Sequence, residues 1–298
     1  MDILQTNFLA MMLHGLFAAG LLVAYAKTPA AHSRSNVSIY RSQISGPTDT
    51  TCTTDTPVNP SQCDIRIPYS KPREVLSVNI VYGAAAFFIV TAFAHLYYGT
   101  DGFGTGSYTR NLKEGWNPTR WLEYGVSASL MSVLIGLVDG TNDAGSLASV
   151  VFMTIAMQMC GYAAESQMRG TSQLTMFSKD TVLAATYTGF LLYLGIWVNL
   201  IYNFVNIVDD VKTKFSGTLD SGGNVIKVPA WIWAIVILQA IYYLLFGLAQ
   251  MNHVTKRFSG QAYNFLETEK AFIGLSFTAK LSLAGAIGYG AIMRTKNC

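Results

Sequence analysis

The chain has 298 residues, 51% of them hydrophobic and 12% charged, with a formal net charge of +3 and a mean hydropathy of +0.33. That balance excludes an ordinary soluble domain, and so small a net charge gives no argument for a nucleic-acid partner. Seven apolar stretches, at 8–26, 75–98, 121–138, 146–164, 181–207, 230–251 and 271–293, each approach the ~20 residues of a spanning helix. The fold class is therefore an all-α bundle of seven transmembrane helices in a lipid bilayer, one domain over residues 1–298, with no persuasive internal repeat.

The first stretch ends in Ala24-Tyr25-Ala26, which resembles a signal-peptidase site, but the residues before it carry Asp2 and no basic residue. A signal peptide needs a positive start, so the segment is read as a retained helix. With seven spans the termini lie on opposite faces, A for the N-terminus and B for the C-terminus. His14 falls about two turns in from face A.

The connection 27–74 is long and contains Cys52, Cys63 and the sequon Asn36-Val37-Ser38. Both features suit an extracytoplasmic compartment, as a loop disulfide and a glycan site, with two free thiols and an unused sequon as the alternative. Its alternating stretches Val37–Ile44 and Asp64–Tyr69 predict a short β-hairpin. A turn at Asp220-Ser221-Gly222-Gly223-Asn224 joins the fifth and sixth helices on the same face. Face A carries eight Lys or Arg (Arg110, Lys113, Arg120, Arg169, Lys179, Lys256, Arg257, Lys270) and face B eleven, six of them in or beside the long loop. Long loops weigh little in the positive-inside rule, so the charges favour face A as cytoplasmic.

Charged residues inside the spans are few. His95 lies about one turn from face A at the end of the second helix, and Glu123 opens the third, where a first-turn carboxylate stabilised by the helix N-terminus is the plainer explanation. Lys280 lies ten residues into the apolar run Ala271–Met293. A lysine at a helix centre costs about 2.5–3.5 kcal/mol on insertion scales, so a partner must offset it or a function must use it. The third and seventh helices start from the same face, and because Cα–Cβ bonds tilt toward a helix N-terminus, Lys280 leans into the half that holds Glu123, His14 and His95. Ser276 precedes Lys280 by four residues and Ser127 follows Glu123 by four, so two hydroxyls are expected to flank an ion pair. Cys160, inside the fourth helix, reads as a small buried residue.

Two segments carry a resemblance. Arg120-Trp121-Leu122-Glu123-Tyr124-Gly125-Val126-Ser127-Ala128-Ser129-Leu130-Met131 and Ser276-Phe277-Thr278-Ala279-Lys280-Leu281-Ser282-Leu283 resemble the heliorhodopsins, and the likeness extends over the chain in helix count, long first extracellular loop and both histidines. It implies all-trans retinal bound covalently to Lys280 as a protonated Schiff base, Glu123 as its counterion, a cytoplasmic N-terminus with an extracellular C-terminus, and a homodimer. Outward proton pumps carry carboxylates where this chain has Ser276 and Leu134, so the resemblance is to a photoreceptor that does not pump. A polyene needs an apolar slot with aromatic walls, for which Trp121, Tyr124, Met131, Met157, Gln158, Tyr243 and Phe246 are the candidates. His14, His95 and Ser276 are expected to shape a polar cavity for a released proton, histidine being the side chain that titrates near neutral pH.

Three functional classes compete. A photoreceptor passes a conformational signal to an unidentified partner; a light-gated passive proton channel needs a hydrated route through the face B half, for which Asn199, Asn203 and Asn206 are the candidates; a membrane hydrolase needs a metal. The last fails on ligands, because the chain has only His14, His32, His95 and His253 and no close His/Asp set. The photoreceptor is preferred, and no enzyme activity, metal or nucleic acid is expected.

Overall fold

The computed structural model describes residues 2–32, 35–41, 73–170, 175–214, 227–259 and 264–291. Cys52, Cys63, the segment Asp64–Tyr69 and the turn 220–224 lie outside the described residues. In chain order the elements are α1 (Ile3–Ala26), α2 (Pro29–His32), β1 (Asn36–Arg41), β2 (Arg73–Asn79), α3 (Ile80–Gly99), α4 (Ser107–Lys113), α5 (Pro118–Asp139), α6 (Ala144–Met168), α7 (Met176–Lys214), α8 (Ala230–Phe258) and α9 (Phe265–Ala291). Seven of these, α1, α3 and α5 to α9, are long and apolar enough to cross a membrane. Consecutive spans alternate in direction, so α1, α5, α7 and α9 start at face A.

Caps set the helix starts. Asp2 and Gln5 form a reciprocal capping box, which begins α1 at Ile3 rather than near residue 8. His14 is therefore about three turns deep, one more than the apolar pattern implied. Asn117 caps α5 ahead of Pro118 at its first turn, a position where the missing N–H of proline costs nothing. Asp143 caps α6, and Gly140, with φ 98, ends α5 in the left-handed region that suits glycine.

The hairpin differs from expectation in its second strand. β1 pairs antiparallel with β2 from Asn36↔Asn79 to Arg41↔Arg73, with an irregularity between Ile39 and Tyr40, so residues 75–79 are strand and not the start of the second helix. The switch comes at Asn79, whose side chain accepts from the amides of Val81 and Tyr82 and donates to Tyr25 Oη (2.7 Å), Ser35 Oγ and Asn36 Oδ1. That residue satisfies the free N–H groups of a helix start while still paired in the sheet. The amide of Tyr40 donates to Asn142 O at 2.8 Å, tying the hairpin to the turn between α5 and α6.

Burial is uneven. In the most apolar window of each span, 61% of α5, 50% of α3 and 44% of α9 is buried inside the protein, against 22–28% of the others. The three inner helices are the ones that carry Glu123, His95 and Lys280. Small residues let them approach: a Cβ on Gly83 of α3 would lie 2.7 Å from the end of the Leu134 side chain of α5, so a larger residue there would make that leucine shift.

Candidate functional site

The side chain of Lys280 is buried, donates to Ser276 Oγ at 2.6 Å and lies 3.5 Å from Glu123 Oε1. The contact with Ser276 follows from helix geometry, because a side chain leaning toward its helix N-terminus reaches the residue four before it, whereas the contact with Glu123 depends on how α5 and α9 pack. The same tilt explains why Ser127 does not flank the pair. Glu123 points away from the residue four after it, and its Oε1 instead accepts from Thr91 Oγ1 of α3 at 2.5 Å. The Ser127 hydroxyl is fully buried with no partner among the described residues, and it lines the cavity beside Lys280.

That cavity runs from Lys280, Ser276 and Ser127 between α5 and α9 across the bundle to α6 and α7. Trp121, Tyr124, Met131, Met157, Gln158, Tyr243 and Phe246 all line it, as do Thr186, Phe190, Gln250 and Phe272, which the sequence did not single out, and Cys160, which is half-buried at the cavity wall rather than buried in helix packing. Tyr124 packs edge-on against Phe246 with ring centroids 5.4 Å apart and donates to Phe272 O. Gly161 makes room for the Trp121 ring, which occupies the place a Cβ would take. On the face B side Tyr243 Oη donates to Ala128 O and shares a hydrogen bond with Ser132 Oγ, which in turn meets Thr154 Oγ1.

Toward face A, His14 and His95 lie with ring centroids 5.2 Å apart, and His14 Nε2 has no partner among the described residues. Neither ring hydrogen-bonds to Glu123. His95 Nδ1 meets Asn7 Oδ1 at 2.7 Å, Asn7 Nδ2 donates to Tyr108 Oη at 3.0 Å, and Tyr108 Oη donates to Glu269 Oε1 at 3.2 Å. This chain leads to a cluster that changes the charge map. Arg120, counted above as a face A loop charge, is 2% exposed and forms ion pairs with Glu165 (0%) and Glu269 (1%).

Most remaining valences of the cluster are used, Arg120 Nε excepted. Glu165 also accepts from Trp121 Nε1 and Asn117 N, Glu269 accepts from Asn117 Nδ2, and the Arg120 guanidinium lies 4.0 Å over the Phe272 ring. A buried ion pair without such hydrogen bonds rarely offsets its own desolvation. Sequence reasoning missed the cluster because Glu165 and Glu269 fall just outside their apolar stretches and read as solvated helix ends. Complementary charges at the face A ends of three spans were the available signal.

The face B half differs. Asn203 Nδ2 donates to Asn199 Oδ1 at 3.1 Å, while Asn206 is exposed on the outer side of α7 and none of the three lines the cavity. The core-facing stripe of α7 is Ile196, Leu200, Phe204 and Val208, one position per turn, and the asparagines are offset from it. Asp139 is buried at the face B end of α5, with Oδ1 accepting from Thr141 N and Oγ1. The family model described as Heliorhodopsin matches residues 44–292. No curated protein matches the chain.

Proposed function

Because this chain belongs to the heliorhodopsin family, and so is a retinal-binding, light-sensing protein that crosses the membrane several times, we propose that it is a photoreceptor with all-trans retinal on Lys280 and Glu123 as counterion. The observation that carries this reading is the buried Lys280 amine at one end of an apolar, aromatic-walled cavity, 3.5 Å from a single carboxylate. The residues fit such a group: the amine opens on the slot, the walls are Trp121, Tyr124, Met131 and Phe246, and the orphaned Ser127 hydroxyl sits at the polar end. Bound there through a protonated Schiff base, retinal would supply visible absorption and a light-driven isomerisation.

The chain's own groups then divide the work. Glu123 and Ser276 stabilise positive charge at the Lys280 nitrogen, and Thr91 fixes the orientation of the Glu123 carboxylate. A proton given up at that nitrogen would meet Glu123 first, and on the face A side the described residues offer the hydrogen-bonded chain His95, Asn7, Tyr108 and Glu269. On the other side Leu134 packs against Gly83, where a pump would place a carboxylate, and the hydroxyls of Tyr243, Ser132 and Thr154 are engaged with one another and with backbone carbonyls. Pumping needs access to both faces, so the reading is a sensor whose proton movements stay on one side. The N-terminus is cytoplasmic on this reading, and the working unit is a pair of identical chains.

The test is reconstitution with all-trans retinal in a voltage-clamped cell. The wild type should form a visible pigment and give no sustained photocurrent at zero voltage and equal pH, and Lys280→Ala should form no pigment. A visible Schiff-base band in the variant would remove Lys280 from the assignment, and a steady current under those conditions would make the protein a pump.

A further inference from the structure

The end of the cavity away from Lys280 holds a polar group that an unsubstituted retinal cannot use. Gln250 of α8 lines the cavity and is 6% exposed, and neither its Oε1 nor its Nε2 has a hydrogen-bond partner among the described residues. It stands two turns toward face A from Tyr243 on the same stripe of α8. Gly247, one turn before it, lies against the Phe190 ring of α7, so close that a Cβ there would meet the ring at 2.9 Å. This part of α8 therefore packs on α7, whose Thr186, Gly189, Phe190 and Tyr193 also line the cavity. A second carboxamide, Gln158 of α6, lines the same cavity.

Buried polar groups are almost always satisfied, and a carboxamide has two donors and an acceptor to place. A polyene reaching from Lys280 toward α6 and α7 brings its ring to this end. A plain hydrocarbon ring leaves the amide unpaired, whereas a ring hydroxyl donates to Oε1 and accepts from Nε2. A site built to hydrogen-bond an OH discriminates against the analogue that lacks it. We propose that Gln250 forms a subsite for an oxygen substituent on the ring, so that this protein selects a ring-hydroxylated all-trans retinal over retinal itself. The inference rests on the retinal reading above.

Competition during reconstitution of the full chain tests it. Equal amounts of all-trans retinal and an all-trans retinal hydroxylated at ring carbon 3 or 4, used in separate experiments, are offered to the apoprotein, and the bound chromophore is extracted and quantified. The wild type should take up at least one hydroxylated aldehyde in about tenfold excess, the scale of one satisfied buried hydrogen bond. Gln250→Leu and Gln250→Met should remove that excess while still forming pigment with retinal. Equal uptake of all aldehydes by the wild type means that Gln250 holds only water and overturns the subsite; an excess that survives in a variant overturns the role of Gln250. Pigment from none of the aldehydes in the wild type would instead defeat the retinal reading on which the subsite depends.

Discussion

On the face A side of Lys280 the bundle buries charge: Arg120 with Glu165 and Glu269, to which His95 is joined through Asn7 and Tyr108, with the His14 ring beside it. On the face B side the buried polar groups near the cavity are neutral, the hydroxyls of Tyr243, Ser132 and Thr154, together with Gln239, whose Nε2 donates to Ala279 O and Ser282 Oγ. Both halves hold their helices together through polar contacts, but beside the cavity only the face A half buries ion pairs and histidines, while the one buried carboxylate named on face B, Asp139, lies at the far end of α5. The difference shows that packing and proton chemistry are separable in this fold. Hydroxyls and amides suffice to join helices in lipid, whereas buried charge persists on the side where a proton has somewhere to go.

The comparison breaks most visibly at Arg120. Arg120→Met leaves two carboxylates buried without their cation, which should cost about 3–5 kcal/mol. Thermal unfolding in lipid nanodiscs measures this, and adding Glu165→Gln and Glu269→Gln to the same chain should recover much of the loss. Removing the Ser132 hydroxyl on the other side should cost about 1 kcal/mol, the value of an ordinary neutral hydrogen bond. Equal losses on the two sides would erase the distinction.

A smaller effect is expected at the counterion. Glu123→Gln removes the negative charge that holds positive charge at the Lys280 nitrogen, so at neutral pH the visible band should shrink in favour of a near-ultraviolet one. Whatever remains in the visible should shift to the red, because the positive charge is then less confined to the nitrogen end of the polyene. Tyr243→Phe, across the lysine, should keep the visible band dominant. Absorption spectra of the two variants side by side show whether the asymmetry reaches the chromophore.

Kinetic effects come next. Neutral replacements at His14 and His95 should change the lifetime of the light-induced deprotonated state severalfold and change pigment yield less, since neither ring hydrogen-bonds to Lys280 or Glu123. Flash photolysis with wild-type decay in both variants would reduce the face A chain to packing.

The smallest effect lies at the face A surface. Arg169 Nε hydrogen-bonds to Glu114 Oε2 and its guanidinium lies 4.5 Å over the Trp116 ring, and this bond is the first cause holding the Glu114 carboxyl below its ordinary range. A carboxyl whose folded pKa is lowered stabilises above its unfolded pKa and loses that contribution as pH falls through the lowered value. Glu114→Gln should therefore change the melting temperature only slightly, and the change should fade with added salt and in strong acid. A large effect independent of salt would mean that this exposed pair does more than its position suggests.

How much of this was legible in the chain depends on the range over which each signal acts. Seven spans follow from composition, because lipid forces every backbone group to bond within its own helix and apolar length alone then marks the crossing. Lys280 stood out because one charge in an apolar run has no bland explanation, and its contact with Ser276 is a matter of helical repeat. The partner of Glu123 was not legible: the repeat offered Ser127, while Thr91, from a helix about thirty residues away in sequence, occupies the carboxylate. The strand at residues 73–79 was hidden for the same reason, since alternation in a strand and the start of an apolar helix look alike until a partner strand is placed. Arg120, Glu165 and Glu269 lie at the ends of three spans, and a charged helix end is identical in sequence whether it meets water or another helix. Only packing decided that these three meet each other. Sequence by itself determined which residues cross the membrane and which of them cannot rest there unpaired; the tertiary structure chose their partners, because pairing depends on the relative rotation and depth of helices, which no local pattern encodes.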